Sequence, residues 1–123
     1  MNKIGVILIT VTLLFLFGGA YIFTRPTEIP PREDNAHEYF WGNGCPHCKN
    51  VDDFVATWDK KDTITIKKFE VWNNPKNAEI MKDRFNSCNP KPTGSQMAVP
   101  FLVTPNGKCL MGDTPIIDFY KSL

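Results

Sequence analysis

Apolar residues fall along this chain in two regimes. From Ile4 to Phe23 (IGVILITVTLLFLFGGAYIF) there is no charged side chain and no polar face. At about 1.5 Å rise per residue a helix of this length covers about 30 Å, the thickness of a bilayer's hydrocarbon core. A core helix of a soluble domain would carry a polar stripe, which excludes that reading. Gly18-Gly19-Ala20 offers the small residues a signal peptidase needs, but the apolar run continues through Tyr21, Ile22 and Phe23 to full spanning length. Residues 1–23 are accordingly read as a transmembrane anchor, with a cleaved signal peptide as the alternative. Residues 24–36 (TRPTEIPPREDNA) are polar and carry Pro26, Pro30 and Pro31, a composition that predicts a semi-stiff, extended linker.

From residue 37 the pattern becomes that of a folded domain. His37 to Gly42 (HEYFWG) reads as a strand. Between Pro46 and Lys61 the apolar positions Cys48, Val51, Phe54, Val55 and Trp58 recur at helical spacing, leaving Lys49, Asp52, Asp53, Asp59 and Lys60 toward water. Thr63 to Trp72 opens with strand-like alternation. Asn74-Pro75 is a helix start, a cap followed by proline at the first helical position, with Ala78, Met81 and Phe85 as the buried stripe. Residues 86–98 have the composition of a loop. Val99 to Thr104, the turn Pro105-Asn106-Gly107, and Lys108 to Gly112 predict a hairpin. Thr114-Pro115 repeats the cap-and-proline device before a last helix through Ile116, Ile117, Phe119 and Tyr120. The expected fold is α/β, β-α-β-α-β-β-α over residues 37–123. The first two strands are parallel across a right-handed connection, and the hairpin completes a four-stranded mixed sheet.

Charge changes this picture little. The net charge is +1 and its members are dispersed, so nucleic acid is not an expected partner. Lys3 precedes the span while Arg25 and Arg32 follow it, so flanking charge does not set the orientation. Compartment is read from the four cysteines, which fit an oxidising space better than a reducing cytosol. The domain is placed on the extracytoplasmic side of the membrane, or secreted if the leader is cleaved.

The chemistry is carried by Cys45-Pro46-His47-Cys48, which follows a strand and opens a helix. Helix amides there stabilise a Cys45 thiolate, Pro46 has no N–H to waste, and Cys48 lies one turn on as the shielded, resolving thiol. The stretch Tyr39 to Lys49 (YFWGNGCPHCK), the Asn74-Pro75 break and Val99-Pro100 together resemble the thioredoxin superfamily. The Pro-His dipeptide is similar to that of DsbA-type periplasmic oxidants, while the compact size and Gly112-Asp113 step are closer to glutaredoxins. The resemblance implies a cis-Pro100 facing the active-site disulfide, with Val99 offering backbone groups to a substrate strand. Trp41, close to the motif, is a candidate for the substrate surface. His47 adds a second positive partner beside Cys45 and tilts the couple toward oxidation. The sequence departs from the family where an acid stands six residues before the first cysteine. Tyr39 occupies that place, Glu38 is directed to the other strand face, and Lys68 is left without its carboxylate. Water or a shifted Glu38 are the candidates to take the Cys48 proton.

Cys88 and Cys109 are expected at the opposite end of the sheet. The favoured reading is a structural disulfide, worth about 3 kcal/mol by the chain-entropy argument; two free thiols or a second redox pair are the alternatives. The expected function is thiol–disulfide exchange with protein thiols, leaning toward disulfide donation. It needs no cofactor beyond the Cys45–Cys48 pair, and a membrane or soluble protein serves as redox partner. The alternatives are a tethered reductase of the same fold, a binding platform, or a metal-binding module using Cys45, His47 and Cys48, for which a fourth ligand is not evident.

Overall fold

The structure is a computed structural model of the chain. It describes every residue except Met1, Thr24, Arg25, Thr27, Thr93 and Ser95, and the Phe23 side chain. Those parts of the expected linker and of the 86–98 loop therefore lie outside the described residues, as does the charge of Arg25. The apolar run forms helix α1 (Lys3–Phe23), long and apolar enough to cross a membrane or to act as a signal sequence. The remaining elements are β1 (Ala36–Trp41), α2 (Pro46–Thr57), a 3-10 turn (Lys61–Thr63), β2 (Thr65–Glu70), α3 (Pro75–Ser87), β3 (Phe101–Val103), β4 (Cys109–Met111) and α4 (Asp113–Lys121).

The four strands form one mixed sheet in the order β2-β1-β3-β4. β1 pairs parallel with β2 and antiparallel with β3, and β3 pairs antiparallel with β4. β1 is thus an inner strand covered on both faces, which is why it is buried almost throughout. Its side chains still alternate. Phe40 points to the α3 side with Phe85 and Phe101, and Tyr39 to the α2/α4 side with Val51, Leu102 and Ile116.

Several element ends differ from the sequence expectation. α2 stops at Thr57 because Trp58 leaves the helix to bury its indole beside Tyr120, with ring centroids 5.3 Å apart. β2 is shortened at its start by the 3-10 turn. α3 begins where expected, the Asn74 side chain accepting the Asn77 N–H, but its buried face is Ile80, Met81, Arg84 and Phe85, with Ala78 half-buried. The cap of α4 is Gly112 rather than Thr114. With φ of 96°, Gly112 turns the chain sharply out of β4 while its N–H bonds the Pro100 carbonyl at 2.8 Å.

Burying Glu38 in the inner strand requires a counter-charge. Arg84 supplies it with two bonds, Nε to Oε2 at 2.7 Å and Nη2 to Oε1 at 3.2 Å, and also donates to the Pro30 carbonyl. Burial alone would lower the Arg84 pKa, but the Glu38 carboxylate outweighs it and the net shift is upward. Ile29 packs against the α3-side core, and Arg32 donates to the Thr104 carbonyl at 2.5 Å, so residues 29–32 lie against the domain. Cys88, the C-cap of α3, is disulfide-bonded to Cys109 in β4, with Cα atoms 6.0 Å apart.

Two stability predictions follow from this packing. Arg84→Met removes both hydrogen bonds to the buried Glu38 carboxylate and leaves it Arg32 at 3.9 Å, so it should destabilise the domain by about 3 kcal/mol in denaturant titration; adding Glu38→Leu should recover much of the loss. His37 is buried against Phe119 and Tyr120, with centroids 5.9 and 5.8 Å away, and burial lowers its pKa from 6.5. The unfolded chain therefore takes up this proton first, and stability falls as pH drops below about 6.5. Thermal melts at pH 7.5 and 5.5 should show a larger acid loss for the wild type than for His37→Phe.

Candidate functional site

The register of the sheet collects the site at one end. Trp41 is the last residue of β1 and pairs with Glu70 of β2, while Phe101 faces Phe40 and Met111. The segments just beyond these residues, Gly42–Cys45, Val71–Asn73, Val99–Pro100 and Gly112–Asp113, therefore emerge at the same edge.

Gly42 to Gly44 turn the chain from β1 into α2. The Cys45 N–H bonds the Gly42 carbonyl at 3.1 Å, and Gly44 has φ of 82°. A Cβ on Gly42 would collide with the Trp72 ring, which lies across it. Trp72 itself is 58% exposed, which assigns it to the rim rather than the core. Glu70 ties these two loops together. Its carboxylate accepts the N–H groups of Asn43 at 3.1 Å, Trp72 at 3.0 Å and Asn73 at 2.8 Å. The slight desolvation of that carboxylate raises its pKa, but the backbone bonds prevail and hold it below its usual value.

Cys45 is the N-cap of α2, and its Sγ accepts the Cys48 N–H at 3.1 Å. Pro46 takes the first helical position. Cys45 and Cys48 are disulfide-bonded with Cα atoms 5.3 Å apart, and they are 7% and 1% exposed. A helix N-terminus with an amide aimed at sulfur stabilises negative charge there, so a thiolate at Cys45 meets a favourable field on reduction. A cavity of about 380 Å³ opens beside the pair, lined by Trp41, Gly42, Gly44, Cys45, Pro46, Cys48, Lys49 and Asp52.

The expected residues are distributed around this cavity unevenly. Trp41 lines it. Val99 and Pro100 do not; they precede β3 at the same sheet edge, and the bond between them is cis. His47 is turned toward α4, its Nδ1 3.0 Å from Asp113 Oδ2, which also accepts from Asn50 at 2.6 Å. The bonds from Asn50 and His47 pull the Asp113 carboxyl down to about 2, so it is charged at neutral pH. Any positive charge on His47 is therefore shared with a carboxylate rather than directed at Cys45 alone. Glu38 is committed to Arg84 on the opposite face and is not available to Cys48.

Lys68 has a carboxylate partner after all: Asp52, at 2.6 Å. Asp52 was expected to face water with its helical neighbours, yet it borders the cavity. Its position four residues after Cys48, on the same helix face, was the available signal. Glu70 and Asp113 were missed because their roles depend on loops brought together only by the sheet. Comparisons with protein-family models, curated proteins and solved structures return no match.

Glu70→Ala should release both loops. Hydrogen exchange at the amides of Asn43, Trp72 and Asn73 should accelerate, while amides in β3 keep their protection.

Proposed function

We propose that this protein is a membrane-tethered thiol–disulfide oxidoreductase with a thioredoxin-like domain, working through Cys45 and Cys48. The observation that carries the reading is the Cys45–Cys48 disulfide at the first turn of α2, its outer sulfur capping the helix and a cavity beside it. The inner strand leading into that turn and the cis Val99–Pro100 bond at the same edge support a thioredoxin-like site. A second disulfide, Cys88–Cys109, supports an oxidising compartment, with α1 as anchor and the domain outside the cytoplasm.

The chemistry runs through a mixed disulfide. As disulfide donor, Cys45 Sγ is attacked by a substrate thiolate and Cys48 leaves. A second substrate thiolate then attacks the substrate sulfur of the mixed disulfide and releases Cys45, so the substrate loses two electrons and the Cys45–Cys48 pair gains them. The helix amides stabilise the reduced form and make the couple oxidising, while Asp113 moderates the contribution of His47.

Equilibration of the full chain with glutathione buffers should give a potential above about −200 mV, on the oxidising side of the scale; a value near about −270 mV would reverse the assigned direction. Cys45→Ser should abolish exchange with a model protein disulfide, and Cys48→Ser should accumulate mixed disulfides visible by mass spectrometry. Full activity in Cys45→Ser would refute the reading.

A further inference from the structure

Cys48 is 1% exposed, so the proton its sulfur must lose before attack, or gain on leaving, has no direct route to water. The titratable groups around it are few. Tyr39, from β1, spends its hydroxyl on the Cys48 carbonyl at 3.2 Å, and burial, with Asp52 nearby, pushes its pKa far up, so it is no base. Glu38 lies across the sheet with Arg84. Asp113, from α4, is held by Asn50 and His47 and does not border the cavity. Lys49 lines the cavity but reaches outward to Asp53 at 2.5 Å. Asp52 remains. It lines the same cavity as Cys48, one helical turn on, where side chains four apart have Cβ atoms about 5–6 Å from each other. It is also 36% exposed at its side chain, so it meets both the cavity and solvent.

We propose that Asp52 is the proton acceptor and donor for Cys48, with Lys68 positioning its carboxylate. This rests on the thiol–disulfide exchange proposed above and adds the step that exchange requires. When a mixed disulfide on Cys45 is resolved, the Cys48 S–H gives its proton to the Asp52 carboxylate. The Cys48 thiolate attacks Cys45 Sγ, the Cys45–Cys48 bond forms, and the bond from Cys45 to the substrate sulfur breaks. The substrate leaves as a thiolate carrying the electron pair, and Asp52 passes the proton to water. In the donating direction, Cys48 leaves Cys45 as a thiolate and takes a proton back from Asp52. Lys68 Nζ holds Oδ1 at 2.6 Å and lies 5.8 Å from the Tyr39 ring centroid, pinning the carboxylate between helix and sheet edge.

The test follows the resolution step alone. The reduced full chain in detergent is mixed with oxidised glutathione, and acid-quenched samples are read by mass spectrometry for conversion of the Cys45–glutathione species to the internal disulfide. Asp52→Asn should slow this conversion by about tenfold to a hundredfold at pH 6–7, and the deficit should shrink as pH rises past the ordinary thiol value of about 8.5. Asp52→Glu should recover part of the rate with the wild-type pH dependence, which separates proton transfer from any loss of folding. Asp53→Asn, one residue along on the outer face, should match the wild type. A deficit in Asp52→Asn that is the same at every pH, no deficit at all, or an equal deficit in Asp53→Asn would each overturn the proposal. If the wild type itself never forms the internal disulfide from the mixed species, the exchange reading fails first and this one with it.

Discussion

A carboxylate in the middle of the inner strand sets the terms for this domain. Glu38 cannot be buried charged without a cation. Arg32 lies 3.9 Å away, and the one that hydrogen-bonds it, Arg84, comes from α3, on the far side of the sheet from α2. That pair fixes the strand's facing. With Glu38 and Phe40 toward α3, Tyr39 and Trp41 must point to the α2/α4 side, because a one-residue slip would exchange the two sets. The same arginine also holds the Pro30 carbonyl, so the approach of the chain from its N-terminal segment is fitted to the same contact. Such a pair is costly to desolvate, so its net contribution to stability is small although breaking it is destabilising.

From that facing the site follows mechanically. β1 ends at Trp41, the Gly42–Gly44 turn brings α2 down onto the sheet, and the helix starts with its amides around Cys45. Glu70 secures this turn by bridging to the loop after β2, and Trp72 fills the space that Gly42 leaves. Position and electrostatics therefore share one cause: the sheet edge that collects these loops also brings Asp113 beside His47. In the proposed exchange, the amide field favours the Cys45 thiolate and the carboxylate opposes the imidazole's help.

Much of this architecture was legible in the sequence, and the parts that were not share a reason. Element order and the Asn74-Pro75 helix start could be read because spacing and local chemistry carry them, and the Cys88–Cys109 pairing was the favoured of three readings because the expected topology puts both cysteines at one end of the sheet. The end of α2 at Thr57 could not, since Trp58 is apolar at helical spacing and only its packing on Tyr120 draws it out of the helix. Asp52 looked like one more solvated acid in a helix face; its spacing from Cys48 hinted otherwise, and the approach of Lys68 from β2 marks it as different. Thr114-Pro115 looked like a cap, but the backbone freedom of Gly112 placed the turn two residues earlier. Local signals give elements; contacts between distant segments assign the polar residues their work.

In the proposed exchange the sulfur of Cys45 has a structural duty as well as a chemical one, and the two are thermodynamically joined. It caps α2 by accepting the Cys48 amide. A thiolate is a far better acceptor than a disulfide sulfur, so reduction strengthens the cap while removing the short covalent loop. Around the cycle linking oxidised and reduced, folded and unfolded states, the gain in folded stability on reduction must appear as a rise in potential, about 30 mV for each 1.4 kcal/mol. A cap that is worth more when charged is therefore itself an oxidising influence. Groups that place negative charge near the helix start act against it, which makes Asp113, beside His47, part of the same balance as the amides.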